Sequence, residues 1–134
     1  LMQNMQRAQE YTKDYLDRHL EICANINKPL VMEEFGYPRD GVSFSKQSAT
    51  TARDAYYNYV FSLLADDLAK GGYFVGCNFW GWGGHAQPQH EQWIPGDDYV
   101  CDPPQEPQGL YSVFSSDDST IKIIKAGIAN LPKR

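Results

Sequence analysis

Lys28 to Pro38, reading KPLVMEEFGYP, is a short apolar run that stops abruptly in two carboxylates, a glycine and a proline. Opened by Pro29 and closed by Gly36 and Pro38, it has the length and composition of a buried strand in a parallel sheet covered on both faces. Where parallel strands form a barrel, the active site lies at their C-terminal ends, so a glutamate there is a catalytic candidate. Alternation along a strand puts Leu30, Met32 and Glu34 on one face and Val31, Glu33 and Phe35 on the other. Only one of the two carboxylates can then face a site, and alternation alone does not choose it.

The flanking sequence fits a strand, helix, strand unit. Before the run, Met5, Ala8, Tyr15, Leu16, Leu20, Cys23 and Ile26 recur at helical spacing, which predicts an amphipathic helix over Met5 to Ile26. After it, Tyr37 to Gln47 is polar and broken by Pro38 and Gly41, as a strand-end loop would be. A second helix follows, capped by Ser48 or Thr50, with Ala52, Ala55, Tyr56, Tyr59, Val60, Leu63, Leu64 and Leu68 as its stripe. Gly71 and Gly72 close it, and Tyr73 to Trp80 reads as a second strand, parallel to the first. Gly81 to Asp118 shows no usable periodicity and reads as one long loop, a length that is uncommon unless functional. A third helix, capped by Asp118 or Ser119, would turn Ile121, Ile124, Ile128 and Leu131 inward.

The totals narrow the function classes. With 134 residues, 42% of them hydrophobic and 22% charged, the chain is globular and holds at most one domain, spanning residues 1–134. A formal charge of −5 with no cluster of Lys and Arg argues against a nucleic-acid partner. No apolar run approaches the roughly 20 residues that span a bilayer. All three Trp fall between Trp80 and Trp93, which suggests a surface for flat ligands such as sugar rings or, equally, loop packing. Cys23, Cys77 and Cys101 cannot all pair with one another; buried free thiols and a Cys77–Cys101 disulfide are both open. His85, His90, Glu91, Asp97, Asp98 and Asp102 are metal-ligand types, but no spacing among them resembles a zinc or calcium motif. No metal and no cofactor is therefore expected.

At this point KPLVMEEFG (Lys28 to Gly36) and NFWGWG (Asn78 to Gly83) resemble the seventh and eighth strands of retaining glycoside hydrolases of family five, which are (β/α)8 barrels. The stretches WIPGDDY (Trp93 to Tyr99), Asp102 to Pro104 and QGLYSVF (Gln108 to Phe114) are similar to the long loop of bacterial endo-β-1,4-mannanases in that family. The resemblance implies an α/β fold comprising the last two strands with the sixth to eighth helices. It puts the nucleophile at Glu34 and a Trp floor under the sugar at Trp80. Trp82 is then an additional platform or a loop-packing residue, and His85 and Trp93, with Gln87, His90 and Glu91, are candidate sugar contacts or solvated loop. Glu33 would face the helix layer. Mannan, glucomannan or galactomannan is the implied substrate, and export to the periplasm or the medium is implied with it.

The resemblance also has gaps. The family's acid/base carboxylate belongs to an Asn-Glu pair that occurs nowhere in this chain, and a complete barrel takes about 250 residues. The chain is thus expected to be the C-terminal part of such an enzyme, inactive alone, with apolar faces that call for the N-terminal barrel portion or another copy as partner. A β-1,4-glucan hydrolase of the same family, a non-catalytic carbohydrate-binding module and a nonenzymatic α/β interaction domain are the competing readings.

Overall fold

The structure is a computed structural model and describes residues 1–132. Helix α1 spans Met5–Ile26, strand β1 Leu30–Phe35, helix α2 Thr51–Ala69 and strand β2 Phe74–Phe79. Strands β3 (Trp82–Gly84) and β4 (Val113–Phe114) follow, and helix α3 spans Asp118–Ala129. β1 and β2 pair in parallel, as the helical crossover between them requires. β3 and β4 form a second parallel pair, so the segment 81–118 is not one uninterrupted loop. Two- and three-residue strands carry no period, and their pairing joins residues some thirty positions apart, which local patterning cannot register.

The helices cover one face of the β1–β2 pair. Phe35, Tyr57, Val60, Phe61 and Val113 form one buried cluster, with Met32, Cys77, Phe79, Ile121, Ile123 and Ile124 packed on it. Leu16, Leu64 and Phe74 form another, which Leu20, Leu30 and Met32 join. The opposite face carries Val31, 45% exposed, against Gly76, with Asn78 exposed beyond. Among the described residues that face is uncovered and no barrel closes, so the two-sided burial expected of β1 is met on one side only.

Several stripes differ from the periodic expectation. On α1, Thr12 is buried because it hydrogen-bonds both the Ala8 carbonyl and the Tyr56 hydroxyl, whereas Tyr15 and Ile26 are exposed. β2, α1 and α3 all pack on α2, so Tyr57 and Phe61 are buried alongside Val60 and Leu64, while Asn58, Ser62 and Asp66 stay exposed. Ile128 of α3 is exposed and Ile123 packs inward instead. Thr50 takes the N-cap position of α2, as one of the two expectations had it, but its side chain makes no capping hydrogen bond. The Asp40 carboxylate caps the helix from the preceding loop, accepting the Thr51 and Ala52 N–H groups at 3.1 and 3.0 Å. α3 begins after Asp117, one residue ahead of the expected caps, and that carboxylate pairs with Arg39 instead of with the helix. Cys23, Cys77 and Cys101 are all free thiols.

Candidate active site

The site forms where β1 and β2 end side by side. Simple alternation fails at the last turn of β1, because Met32 and Phe35 both join the helix-side core and the register with β2 slips between them. Glu34 absorbs the slip with a left-handed backbone, φ +56. A non-glycine residue in that region costs on the order of 1–3 kcal/mol and persists only where its surroundings fix it. Here they do: Phe35 is anchored against Tyr57 and Phe61, and its carbonyl accepts the Trp80 N–H at 2.8 Å. Glu33 lines a groove with Tyr11, Thr12, Tyr15 and Tyr56, on the helix side as expected.

Glu34 and Trp80 line one cavity of about 420 Å³ with Gly36, Pro103, Glu106 and Tyr111. Gly36 is needed for the close approach of the two strand ends, since a Cβ there would stand 2.9 Å from the Trp80 carbonyl oxygen. That oxygen also accepts the Tyr57 hydroxyl at 3.4 Å, and the Trp80–Gly81 peptide is cis. The cavity thus has a carboxylate, an indole and a phenol on its walls, with a second carboxylate contributed by the loop.

A buried polar frame holds the loop in place. The fully buried Arg39 donates to the Gly109 and Ser112 carbonyls at 3.0 and 3.2 Å and pairs with Asp117 through both terminal nitrogens. Arg53, also fully buried, donates to the Tyr37, Leu110 and Ser112 carbonyls at 2.9, 2.7 and 2.9 Å. Asp102 accepts the N–H groups of Gly109, Tyr111 and Ser112 at 2.7, 3.1 and 3.3 Å. Burial of these charges is tolerable because both guanidinium groups share the Asp117 carboxylate, and Asp102 is satisfied by backbone N–H groups and the Ser112 hydroxyl.

The remaining sequence candidates do not gather at the cavity. Trp82 lies in β3, not in a loop, and is largely exposed. His85 shares a hydrogen bond with the Ser115 hydroxyl at 2.8 Å. Trp93 stacks on Tyr99 with centroids 5.3 Å apart and donates its indole N–H to the Asp97 carbonyl at 3.2 Å. His90 pairs with Asp97, and the Asp98 carboxylate accepts the Gln87 N–H. With Asp102 engaged on backbone, the potential metal ligands are dispersed, and among the described residues no three His, Cys, Asp or Glu side chains converge. Pro103, Glu106 and Tyr111 also wall the cavity and are not among the sequence candidates; Pro103 and Tyr111 lie in stretches that resemble the family's long loop, whereas Glu106 has no signal beyond an aperiodic segment.

A Glu and a Trp at the ends of adjacent parallel strands define an α/β protein with a carboxylate-and-indole cavity at the C-terminal ends of its strands. Residues 1–134 match the family described as GH family 5 beta-mannosidase-like, and the chain belongs to that family. It is 37% identical to a glycoside hydrolase family 5 mannosidase from Rhizomucor miehei, covering 95% of this chain and 32% of that one with a TM-score of 0.84. A glutamate-to-alanine variant of that enzyme in complex with mannosyl-fructose superposes with a TM-score of 0.82 at 35% identity, over 94% of this chain and 32% of that one. A curated relative, mannan endo-1,4-beta-mannosidase 3 of Arabidopsis thaliana, is 35% identical over 69 residues, 51% of this chain and 16% of its own length. The chain therefore spans about a third of the solved relatives and less of the curated one.

Proposed function

We propose that this chain is the part of a family 5 hydrolase that supplies the nucleophile and the sugar platform for retaining cleavage of β-1,4-mannosidic bonds in mannan, glucomannan or galactomannan. The observation that carries the reading is that Glu34 and Trp80, from neighbouring strand ends, line one cavity. A Glu34 carboxylate oxygen attacks the anomeric carbon, the bond to the leaving oxygen breaks, and a glycosyl ester forms. A second carboxylic acid, about 5–5.5 Å away, gives its proton to the leaving oxygen and then takes one from the water that opens the ester. In this reading that acid comes from the strands that complete the barrel, with β1 and β2 as its seventh and eighth. The Trp80 indole suits the apolar C–H face of a pyranose and keeps water from one side.

The uncovered face at Val31, Gly76 and Asn78 supports a partner: the remaining barrel strands would cover it, and a second copy is the alternative. The names of the relatives support mannose over glucose as the sugar. A polymeric substrate is met outside the cytoplasm, which supports export of the enzyme. In the assembled protein, Glu34→Gln should lower mannan hydrolysis at least about a thousandfold while sugar binding survives. Full activity in that variant would overturn the assignment, and retained binding without any activity in the parent protein would favour a binding module.

A further inference from the structure

We propose that Tyr111 is a substrate-contact residue of the Glu34 cavity and that Asp102 is the residue that positions it. This assignment rests on the reading of that cavity as a β-mannoside site. Tyr111 lines the same cavity as Glu34 and Trp80, and a Cβ on Gly36 would stand 3.5 Å from its Cδ1, so its ring lies at the end of β1. It also lines an adjoining cavity of about 530 Å³ with Tyr37 and Tyr56, so it contributes to both. Among the described residues Tyr111 is held through its backbone N–H, and its hydroxyl has no hydrogen-bond partner. A half-buried phenol with a spare donor at the wall of a sugar cavity offers a hydrogen bond to a ring hydroxyl. Burial first, then the Glu106 and Asp102 carboxylates, push the Tyr111 phenol up, so it remains an O–H donor through mildly alkaline pH.

What fixes Tyr111 is the backbone around it. The Asp102 carboxylate accepts the N–H groups of residues 109, 111 and 112, and the Ser112 hydroxyl lies 2.6 Å from it. Three amides converging on one buried carboxylate hold a tight arc with Tyr111 inside it, while Arg39 and Arg53 hold the carbonyls of 109, 110 and 112 from the other side. Pre-setting a contact residue in this way lowers the ordering cost of binding.

The test uses the assembled protein with mannotriose, measuring kcat and KM for Tyr111→Phe, Asp102→Asn and the two combined. Tyr111→Phe should raise KM roughly three- to tenfold with a smaller change in kcat, as the loss of one neutral hydrogen bond does. Asp102→Asn should move KM in the same direction, and the double variant should be no worse than the poorer single one, because both remove the same contact. If the two effects multiply, Asp102 does not act through Tyr111. If Tyr111→Phe leaves KM and kcat unchanged while Glu34→Gln is inactive, the contact itself is wrong; no turnover in the unsubstituted protein would instead overturn the parent reading. Should Asp102→Asn fail to fold, Ser112→Ala removes a single bond to the same carboxylate, and an unmoved KM there counts against positioning.

Discussion

At Glu34 the chain adopts a backbone that glycine would adopt more easily, and it does so at the one strand end that meets Trp80. Strain held at a site is compatible with function and costs stability. Glu34→Gly should therefore unfold at higher denaturant than Glu34→Ala, by about 1 kcal/mol, while both lose activity; equal midpoints would show that no strain is stored there. At Gly36 the sign reverses. Gly36→Ala drives a methyl group against the Trp80 carbonyl and should cost about 1–3 kcal/mol and displace Trp80. Unfolding and mannotriose kinetics read both effects, and an Ala variant of parental stability and KM would contradict the close approach. The end of the apolar run offered two carboxylates, Glu33 and Glu34, without choosing between them, and it is the family resemblance that singles out Glu34 and Trp80. The positive φ was not legible, since nothing in the alternation of LVMEEF signals that Phe35 turns to the core with Met32.

On the scale of elements, the frame Arg39–Asp117–Arg53 joins the loop after β1, the start of α2 and the approach to α3. Asp117→Ala leaves two buried guanidinium groups without their carboxylate and should cost about 3–5 kcal/mol, read as a lowered urea midpoint. A change below 1 kcal/mol would mean the carbonyl contacts suffice. Asp40→Ala removes the cap of α2 and should cost about 1 kcal/mol. The core beneath these loops also sets a pH limit. Burial pushes the Cys77 thiol up to about 11 and raises the Tyr57 phenol as well, so the folded state keeps protons that the unfolded chain gives up first. Stability should be flat below about pH 9 and fall as pH rises through 11; denaturation midpoints that hold level across that window would contradict it. The long helices and both main strands could be read from period and turn residues. The capping side chains could not, because Asp40 reaches α2 from eleven residues away and Asp117 answers to Arg39, contacts that only the folded chain brings together.

For the whole molecule, the parallel pair presents one packed face and one open face with Val31 exposed. Parallel sheets are covered on both sides, so the chain should bind complementary barrel strands or associate with itself, and light scattering would distinguish a 15.2 kDa monomer from either. Family membership was readable from KPLVMEEFG and NFWGWG, whereas the loop residues that wall the cavity were not, because Pro103, Glu106 and Tyr111 reach it through a fold without local period. The proposed hydrolysis turns on the glycosyl ester at Glu34. Treating the assembled enzyme with a 2-deoxy-2-fluoro-β-mannosyl fluoride, which forms the glycosyl ester but hydrolyses it slowly, and mapping the modified peptide by mass, is the direct measurement. One fluoromannosyl group on Glu34, absent from Glu34→Gln, is the predicted result; an adduct on Glu33 or another residue, or none from an enzyme that turns over mannan, would contradict it.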